Sequence, residues 1–154
     1  MSENKTLVEV KNLKEYFNIS TGVFSSKPLK AVDDVSFAIR QGETLGLVGE
    51  SGCGKTTVGR TLLHLYKPTA GEIWFDGKQI VTKQDILEYR KKSAMVFQDP
   101  YSSLNPRMTV GQIIEEGLIT HKFFKPGSPK MKEYVFEVME SCGLQPYMYN
   151  RYPH

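Results

Sequence analysis

The feature that most constrains the fold is a glycine-rich segment between an apolar run and a helix-like run. Residues 49–56 read Gly-Glu-Ser-Gly-Cys-Gly-Lys-Thr and match the pattern G-x-x-x-x-G-K-[ST] at every fixed position. Residues 44–48 are apolar enough for a buried strand, and residues 55–66 carry apolar side chains at helical spacing. A strand-to-helix turn of this kind directs several backbone N–H groups at one point, as a phosphate tail requires. The sequence therefore predicts an α/β fold with a phosphate-binding loop.

The chemistry of this loop assigns roles to its side chains. Lys55 is placed to reach the β- and γ-phosphates of a nucleotide as a positive charge. The hydroxyl of Thr56 is placed to ligate Mg²⁺, which needs few protein ligands. The alternative is a glycine-rich turn that binds nothing, and the flanking strand and helix argue against it. The predicted nucleotide-binding set is Gly49, Glu50, Ser51, Gly52, Cys53, Gly54, Lys55, Thr56 and Thr57.

Composition limits the possible partners and the compartment. The 154 residues include 20 basic and 17 acidic side chains, and the net charge of +3 is too small to indicate nucleic-acid binding. The two cysteines, Cys53 and Cys142, form no metal-type pair, and a reducing compartment is the simplest interpretation. No apolar run approaches the roughly 20 residues that span a bilayer. We therefore expect a cytoplasmic protein, or one attached to a membrane through a partner.

The residue pattern predicts two portions of different character. Strands are expected over 7–10, 31–40, 43–48, 72–75 and 94–97, with a hairpin at Asp76-Gly77 and a possible return over 78–81. Helices are expected over 55–66, 84–92 and 109–117, and from Ser128-Pro129 to a stop at Gly143. Residues 18–30, 101–107 and 120–127 are expected to be loops. This divides the chain into an α/β nucleotide-binding core over 1–100 and a mainly helical portion over 101–154.

Four further features resemble the nucleotide-binding subunits of ABC transporters, and together they extend the resemblance over essentially the whole chain. Residues 31–37 followed by Gly42-Glu43 resemble the approach to that family's phosphate loop, and residues 68–73 followed by Asp76-Gly77 resemble its hairpin. Gln98, after Met95-Val96-Phe97, resembles the Q-loop glutamine. The stretch over 97–111 is similar to the ATPases of oligopeptide and dipeptide importers, and most similar to the second, F-type, subunit of such importers.

This resemblance implies a fold, cofactors and partners. The implied fold is a P-loop NTPase with a RecA-like core and an N-terminal antiparallel β portion, followed by the start of a helical subdomain, with an incomplete sheet. The implied cofactors are ATP and Mg²⁺. The implied partners are a second ATP-binding subunit, which dimerises with this one around ATP, and membrane permease subunits that the dimer drives. The protein would then be peripheral on the inner face of the cell membrane.

The resemblance also implies roles for three residues outside the loop. Gln98 would contact Mg²⁺ and the region of the attacking water, and together with Lys55 it forms the implied catalytic set. An aromatic ring upstream of the phosphate loop would stack on adenine. Tyr16 and Phe17 are both candidates for this ring, and their spacing in the sequence does not separate them.

The resemblance ends at His154, before the family's signature motif and its second acidic motif. Hydrolysis needs a positioned water and stabilisation of transition-state charge in addition to a phosphate cradle. We therefore expect the N-terminal part of a longer ATPase that does not hydrolyse ATP by itself. Two alternatives stay open, namely another P-loop NTPase such as a small kinase or GTPase, and a module that binds ATP or the permease without turnover. The identity of the transported solute is outside what the sequence gives.

Overall fold

Two long strands dominate the first half of the chain, in a computed structural model that describes residues 5–22 and 25–153. The strands β1 (Thr6–Gly22) and β2 (Ser25–Arg40) pair antiparallel, with Val10 opposite Phe37 and Tyr16 opposite Lys30. The short strands β3 (Ala70–Phe75) and β4 (Lys78–Gln79) complete a sheet in the order β2-β1-β3-β4. The chain divides into two units, Met1–Ala94 and Met95–His154, each with its own hydrophobic core.

Two helices cover the sheet-forming residues of the first unit. Helix α1 (Lys55–Leu62) buries Val58 and Thr61, and helix α2 (Lys83–Arg90) buries Tyr89. Helix α2 begins where the Thr82 hydroxyl accepts the backbone N–H of Asp85 and the Asp85 carboxylate accepts that of Thr82. Alternating apolar residues of the strands join these helices in one core, made of Val8, Val10, Leu13, Val32, Val58, Ile73, Ile80 and Tyr89.

The predicted hairpin between β3 and β4 is confirmed. Asp76 and Gly77 have φ angles of 51° and 78°, and two central residues with positive φ match the twist of the flanking strands. Aspartate and glycine are the residue types that tolerate this conformation, which is why the turn was predictable from two letters of sequence.

The predicted loop over 18–30 is wrong for most of its length. Ile19 pairs with Lys27 and Ser20 with Ser26, so β1 and β2 continue toward the hairpin end, while residues 23–24 lie outside the described residues. Because backbone hydrogen bonds alone extend a hairpin, the exposed polar side chains here do not prevent pairing.

Two further predicted strands are absent from the structure. Residues 43–48 and 94–97 have no strand conformation, and Val48 and Val96 are 97% and 96% exposed. A strand forms by pairing with a neighbour, and no strand of the described chain pairs with either segment. The apolar composition was interpreted correctly as strand-like, but the prediction of strands is wrong for this chain.

The second unit is helical. It contains α3 (Pro100–Ser103), α4 (Val110–Thr120), α5 (Pro129–Ser141) and a 3₁₀ helix (Pro146–Asn150). The capping box of Thr109 and Gln112 and the Ser128 N-cap form as predicted, whereas α3 replaces part of the loop predicted over 101–107. Among the helices that the structure describes, none has the length and apolar character to cross a bilayer.

In the second unit, an aromatic ring of the 3₁₀ helix packs closely against a glycine of α4. Met131, Val135 and Met139 of α5 are fully buried, and Tyr149 packs against them. The Tyr149 ring lies against Gly111 of α4, where an added Cβ atom would lie 2.3 Å from a ring carbon. Glycine at this position therefore lets the 3₁₀ helix pack closely on α4.

Candidate nucleotide-binding site

The predicted phosphate loop leads directly into α1. Gly54, the residue before the helix, has a φ angle of 96° and no side chain to cap the first turn. The first backbone N–H groups of a helix have no partner within the helix, and the helix dipole places positive charge at this end. The start of α1 is therefore an uncapped N-terminus that offers several donors to an anion.

The ammonium group of Lys55 lies over this loop. Its Nζ donates to the carbonyl oxygens of Gly49 at 2.6 Å and of Glu50 at 2.7 Å, and it lies 3.4 Å from the Sγ of Cys53. Within the described part of the chain, no carboxylate lies within ion-pair distance of Lys55. Its partners are thus neutral groups, which a phosphate can replace with a stronger charge-assisted hydrogen bond.

A close approach fixes the end of the loop against β2. A Cβ atom added to Gly54 would lie 2.3 Å from the carbonyl oxygen of Ala31, a distance that real Cβ atoms do not reach. A Cβ atom added to Gly49 would lie 2.6 Å from the Sγ of Cys53. Glycine is therefore required by space at position 54, where the neighbour is backbone, whereas a side chain at position 49 would have to displace the Cys53 side chain. The backbone of residue 31 is a direct neighbour of the predicted phosphate loop.

The remaining residues of the predicted set lie in the same segment and face solvent. Glu50, Ser51, Gly52, Cys53 and Thr56 are exposed, whereas Thr57 is half-buried. Thr56 is exposed to solvent, and the oxygen of its hydroxyl is a suitable ligand for Mg²⁺. The loop residues thus fit a triphosphate with its magnesium ion in their donor types and in their access to solvent.

Tyr16 is part of a polar network between β1 and β2. Its hydroxyl donates a hydrogen bond to Asp33 Oδ1, and the Lys30 Nζ lies 3.1 Å from Asp33 Oδ2 and 5.3 Å from the centre of the Tyr16 ring. The hydrogen bond from Tyr16 and the contact with Lys30 lower the pKa of Asp33, and the same bond to Asp33 raises the pKa of Tyr16. Ala31, which lies between Lys30 and Asp33 in the sequence, has its carbonyl oxygen against Gly54.

Phe17 occupies a different environment. Its ring meets the ring of Tyr66 edge to face, with centroids 5.3 Å apart and planes at 83°. This is a favourable aromatic packing geometry within the first unit. The two aromatic candidates for adenine stacking thus lie in different environments, one bonded to a carboxylate and the other packed against an aromatic side chain.

Gln98 lies in the second unit, in an exposed segment just before α3. Its contacts with Mg²⁺ and with the attacking water stay a prediction.

The close approach of Ala31 to Gly54 and the contacts of Tyr16 with Lys30 and Asp33 were not predicted from the sequence. Residues 30–33 are far from Tyr16 and Gly54 along the chain, and only the register of β1 on β2 brings them together. A predicted first strand of the full length, with Tyr16 opposite Lys30, would have brought these residues together.

The residue before Tyr16 on β1 carries a buried carboxyl group. Glu15, opposite Val32 in the sheet, is 5% exposed, and neither its Oε2 nor the Oγ1 of Thr61 on α1 has a hydrogen-bond partner among the described residues. Burial raises the pKa of Glu15 above its ordinary value of 4.5. Glu15 is thus a cost to stability when it is ionised.

Glu15→Met is expected to stabilise the chain at pH 7 more than at pH 4. Because the folded state raises the pKa of Glu15, its contribution to stability is fully present below pH 4.5 and is lost as the pH rises through the folded pKa. We expect the Glu15→Met variant to melt about 4 °C higher than the wild type at pH 7. Thermal unfolding at both pH values, with Glu9→Met as the control on the same strand, measures this. Equal gains at pH 4 and pH 7 would contradict it.

Comparison with known proteins places these features in context. The family model described as ABC transporter matches residues 32–153. The chain is 50% identical over 151 residues to the oligopeptide transport ATP-binding protein OppF of Bacillus subtilis, covering 96% of this chain and 48% of that protein. It is 41% identical over 157 residues to the dipeptide transport ATP-binding protein DppF of Haemophilus influenzae, covering 100% of this chain and 47% of that protein. The chain thus spans about half the length of the curated relatives it matches.

Solved structures agree on the fold. The dimeric post-hydrolysis structure of the ATP-binding cassette MJ0796, bound to ADP and Pi, superposes with a TM-score of 0.74 at 22% identity, over 96% of this chain and 62% of that chain. The structure of cbiO1 from Clostridium perfringens, part of the transporter complex cbiONQ, superposes with a TM-score of 0.67 at 24% identity, over 96% of this chain and 54% of that chain. At these identities the likeness concerns the fold alone.

Proposed function

We propose that this chain, which belongs to the ABC transporter family, is an ATP-binding part of an importer that couples ATP binding and hydrolysis to the uptake of peptides or a similar small solute. Its fold is that of the ATP-binding cassettes. The observation that carries the proposal is the uncapped N-terminus of α1, with the Lys55 ammonium already gathered over the glycine loop. The relatives with transport ATP-binding names support the choice of peptides.

In this proposal the triphosphate tail replaces the neutral partners of Lys55. Two carbonyl oxygens now accept from the ammonium, and phosphate oxygens accept from it more strongly because they carry negative charge. The N–H groups from Gly52 to Thr57 surround the phosphates, and the Thr56 hydroxyl holds Mg²⁺. The ion would offset phosphate charge, while the chain's own residues orient the tail along the start of the helix.

One aromatic ring of β1 is proposed to stack on the adenine base, and Tyr16 and Phe17 are both candidates for it. The Tyr16 hydroxyl donates to Asp33, whereas the Phe17 ring meets the edge of the Tyr66 ring. Either ring has a face that can supply a stacking surface for a base.

Gln98 and the partners complete the proposed activity. Gln98 would contact Mg²⁺ and would sense the γ-phosphate, because a polar side chain in a loop can follow the state of the nucleotide. The proposed partners are a second ATP-binding subunit and membrane permease subunits, with the protein peripheral on the cytoplasmic face. The dimeric structure of the related cassette supports the first of these partners.

Titration with a fluorescent ATP analogue, run beside phosphate-release kinetics, tests the proposal. We expect saturable, Mg²⁺-dependent binding that tripolyphosphate competes away, because the phosphate tail carries most of the charge recognised. We expect no phosphate release above background from the 154-residue chain. Absence of competition by tripolyphosphate would overturn the phosphate-loop assignment, and steady phosphate release by this chain would overturn the expectation that it lacks hydrolysis.

A further inference from the structure

We infer that residues 122–130 form a basic, aromatic surface that contacts the headgroups of anionic lipids. These residues connect α4 to the first turn of α5, and they include three lysines, two phenylalanines and no acidic residue. The surface belongs to the second unit and the glycine loop to the first, so the inference does not depend on nucleotide binding and goes beyond it. It gives the protein a direct contact with the membrane, in addition to any contact through a permease.

The chain leaves α4 through a turn that keeps Phe123 in solvent. The Lys122 N–H donates to the Ile119 carbonyl oxygen, and the Phe123 N–H donates to that of Leu118, both at 2.9 Å. With a φ angle of 60° at Lys122, these two bonds form a Schellman motif. Phe123 is 58% exposed, whereas Phe124 packs against the core of the second unit. The backbone of the turn therefore holds one of two adjacent rings outside the core.

Helix α5 ends in the same turn, but with different residues at the two positions. Gly143 has a φ angle of 76°, and the Leu144 N–H donates to the Met139 carbonyl oxygen at 2.8 Å. Glycine takes this backbone conformation without steric cost, and Leu144 packs on the core. At the end of α4, the equivalent positions hold Lys122, which is strained there, and the exposed Phe123. Because local stability favours glycine and a buried side chain, the difference indicates a function for these two side chains.

The lysines of this surface have no acidic partners. Lys122, Lys125 and Lys130 are exposed, and among the described residues none of them lies within ion-pair distance of a carboxylate. The Ser128 N–H donates to the Lys125 carbonyl oxygen at 3.2 Å, so this turn brings the backbone of Lys125 beside the start of α5, where Lys130 lies. Three unpaired ammonium groups are thus available to an anionic partner.

The exposed ring favours a bilayer over a soluble acidic protein as that partner. Lysines alone would suffice to bind an acidic chain, and an exposed phenylalanine would add nothing to such a contact. An anionic bilayer offers negative headgroups and, directly beneath them, an apolar layer that a ring can enter. Lysine side chains are long enough to keep their ammonium groups at the headgroups while Phe123 inserts.

Co-sedimentation of the 154-residue chain with lipid vesicles tests the inference. Vesicles in which about one third of the lipid is phosphatidylglycerol are compared with vesicles of phosphatidylcholine alone. We expect binding to the anionic vesicles, weakened strongly at about 0.5 M salt, and little binding to the neutral ones. Lys122→Gly is expected to weaken binding about fivefold, and Phe123→Ser roughly tenfold. Lys122→Gly should also unfold at the same or a higher temperature, because glycine tolerates the φ angle of 60°.

Two variants outside the surface are the matched controls. Lys67→Ala removes an exposed lysine of the first unit, with the same effect on net charge as Lys122→Gly. Tyr147→Ser removes an aromatic side chain of the second unit that is 61% exposed, comparable with Phe123. Both are expected to bind anionic vesicles as tightly as the wild type. Losses as large as those of Lys122→Gly and Phe123→Ser would overturn the inference, because binding would then follow overall charge and apolarity.

Insertion of the ring is measured with Phe123→Trp in a Trp74→Phe background, since Trp74 is the one tryptophan of the sequence. Brominated phosphatidylcholine in the anionic vesicles is expected to quench the fluorescence at position 123. Two results would overturn the inference. One is equal binding to neutral and anionic vesicles, and the other is tight binding to soluble polyglutamate without quenching by the brominated lipid, which would assign the surface to an acidic protein.

Discussion

Replacing Lys55 with alanine is expected to weaken Mg-ATP binding roughly 100-fold, the largest loss among the single changes considered for the loop. The ammonium donates to the carbonyl oxygens of Gly49 and Glu50, and phosphate oxygens would take their place. Hydrogen bonds to charged groups contribute about 1.5–3 kcal/mol each, which sets this scale. Equilibrium titration with a fluorescent ATP analogue measures the change.

The control for this variant is Lys67→Ala, which removes an exposed lysine of the same unit outside the loop. It has the same effect on net charge, so any general attraction of the anionic nucleotide is weakened equally. Circular dichroism establishes that both variants are folded. Equal affinity of folded Lys55→Ala and wild type would show that Lys55 does not meet the phosphates.

Replacing Gly54 with alanine is expected to damage both the loop and the unit that carries it. The added Cβ atom would lie 2.3 Å from the Ala31 carbonyl oxygen, and the φ angle of 96° is unfavourable for any residue with a side chain. Backbone strain costs about 1–2 kcal/mol, and the required backbone shift costs about 1–3 kcal/mol more. We expect a stability loss of about 2–5 kcal/mol and at least tenfold weaker ATP binding.

Gly52→Ala is the control that has the backbone strain of Gly54→Ala without its steric clash. Its φ angle of 84° is also positive, but an added Cβ atom would meet nothing within 4 Å. It should therefore lose only the strain contribution of about 1–2 kcal/mol. Chemical denaturation of the two variants measures the difference, and equal stability losses would mean that the approach of Gly54 to β2 carries no energetic weight.

Features that are encoded locally were predictable from the sequence. The glycine turn that leads into α1, the Asp76-Gly77 turn and the Thr109 capping box each depend on a few consecutive residues whose backbone preferences are strong. The helix starts followed for the same reason, since a capping side chain bonds to a backbone group only three residues away.

Features that depend on partners far along the chain were not predictable. The approach of Gly54 to Ala31 and the bond from Tyr16 to Asp33 require the register of a long hairpin, which the short predicted first strand did not contain. Residues 43–48 and 94–97 carry strand-like composition, but strand conformation depends on a pairing neighbour and not on composition alone. Neither kind of information is local.

The central claim is that a triphosphate is held at the start of α1 by the Lys55 ammonium and the N–H groups around it. Amide chemical-shift mapping of the ¹⁵N-labelled chain during titration with Mg-ATP tests this most directly. The account predicts the largest shifts at the amides of Gly52, Gly54 and Lys55, with the amides of Gly77 and Gly127 unmoved. Saturable ATP binding that leaves the loop amides unshifted, and moves those of another segment, would contradict it.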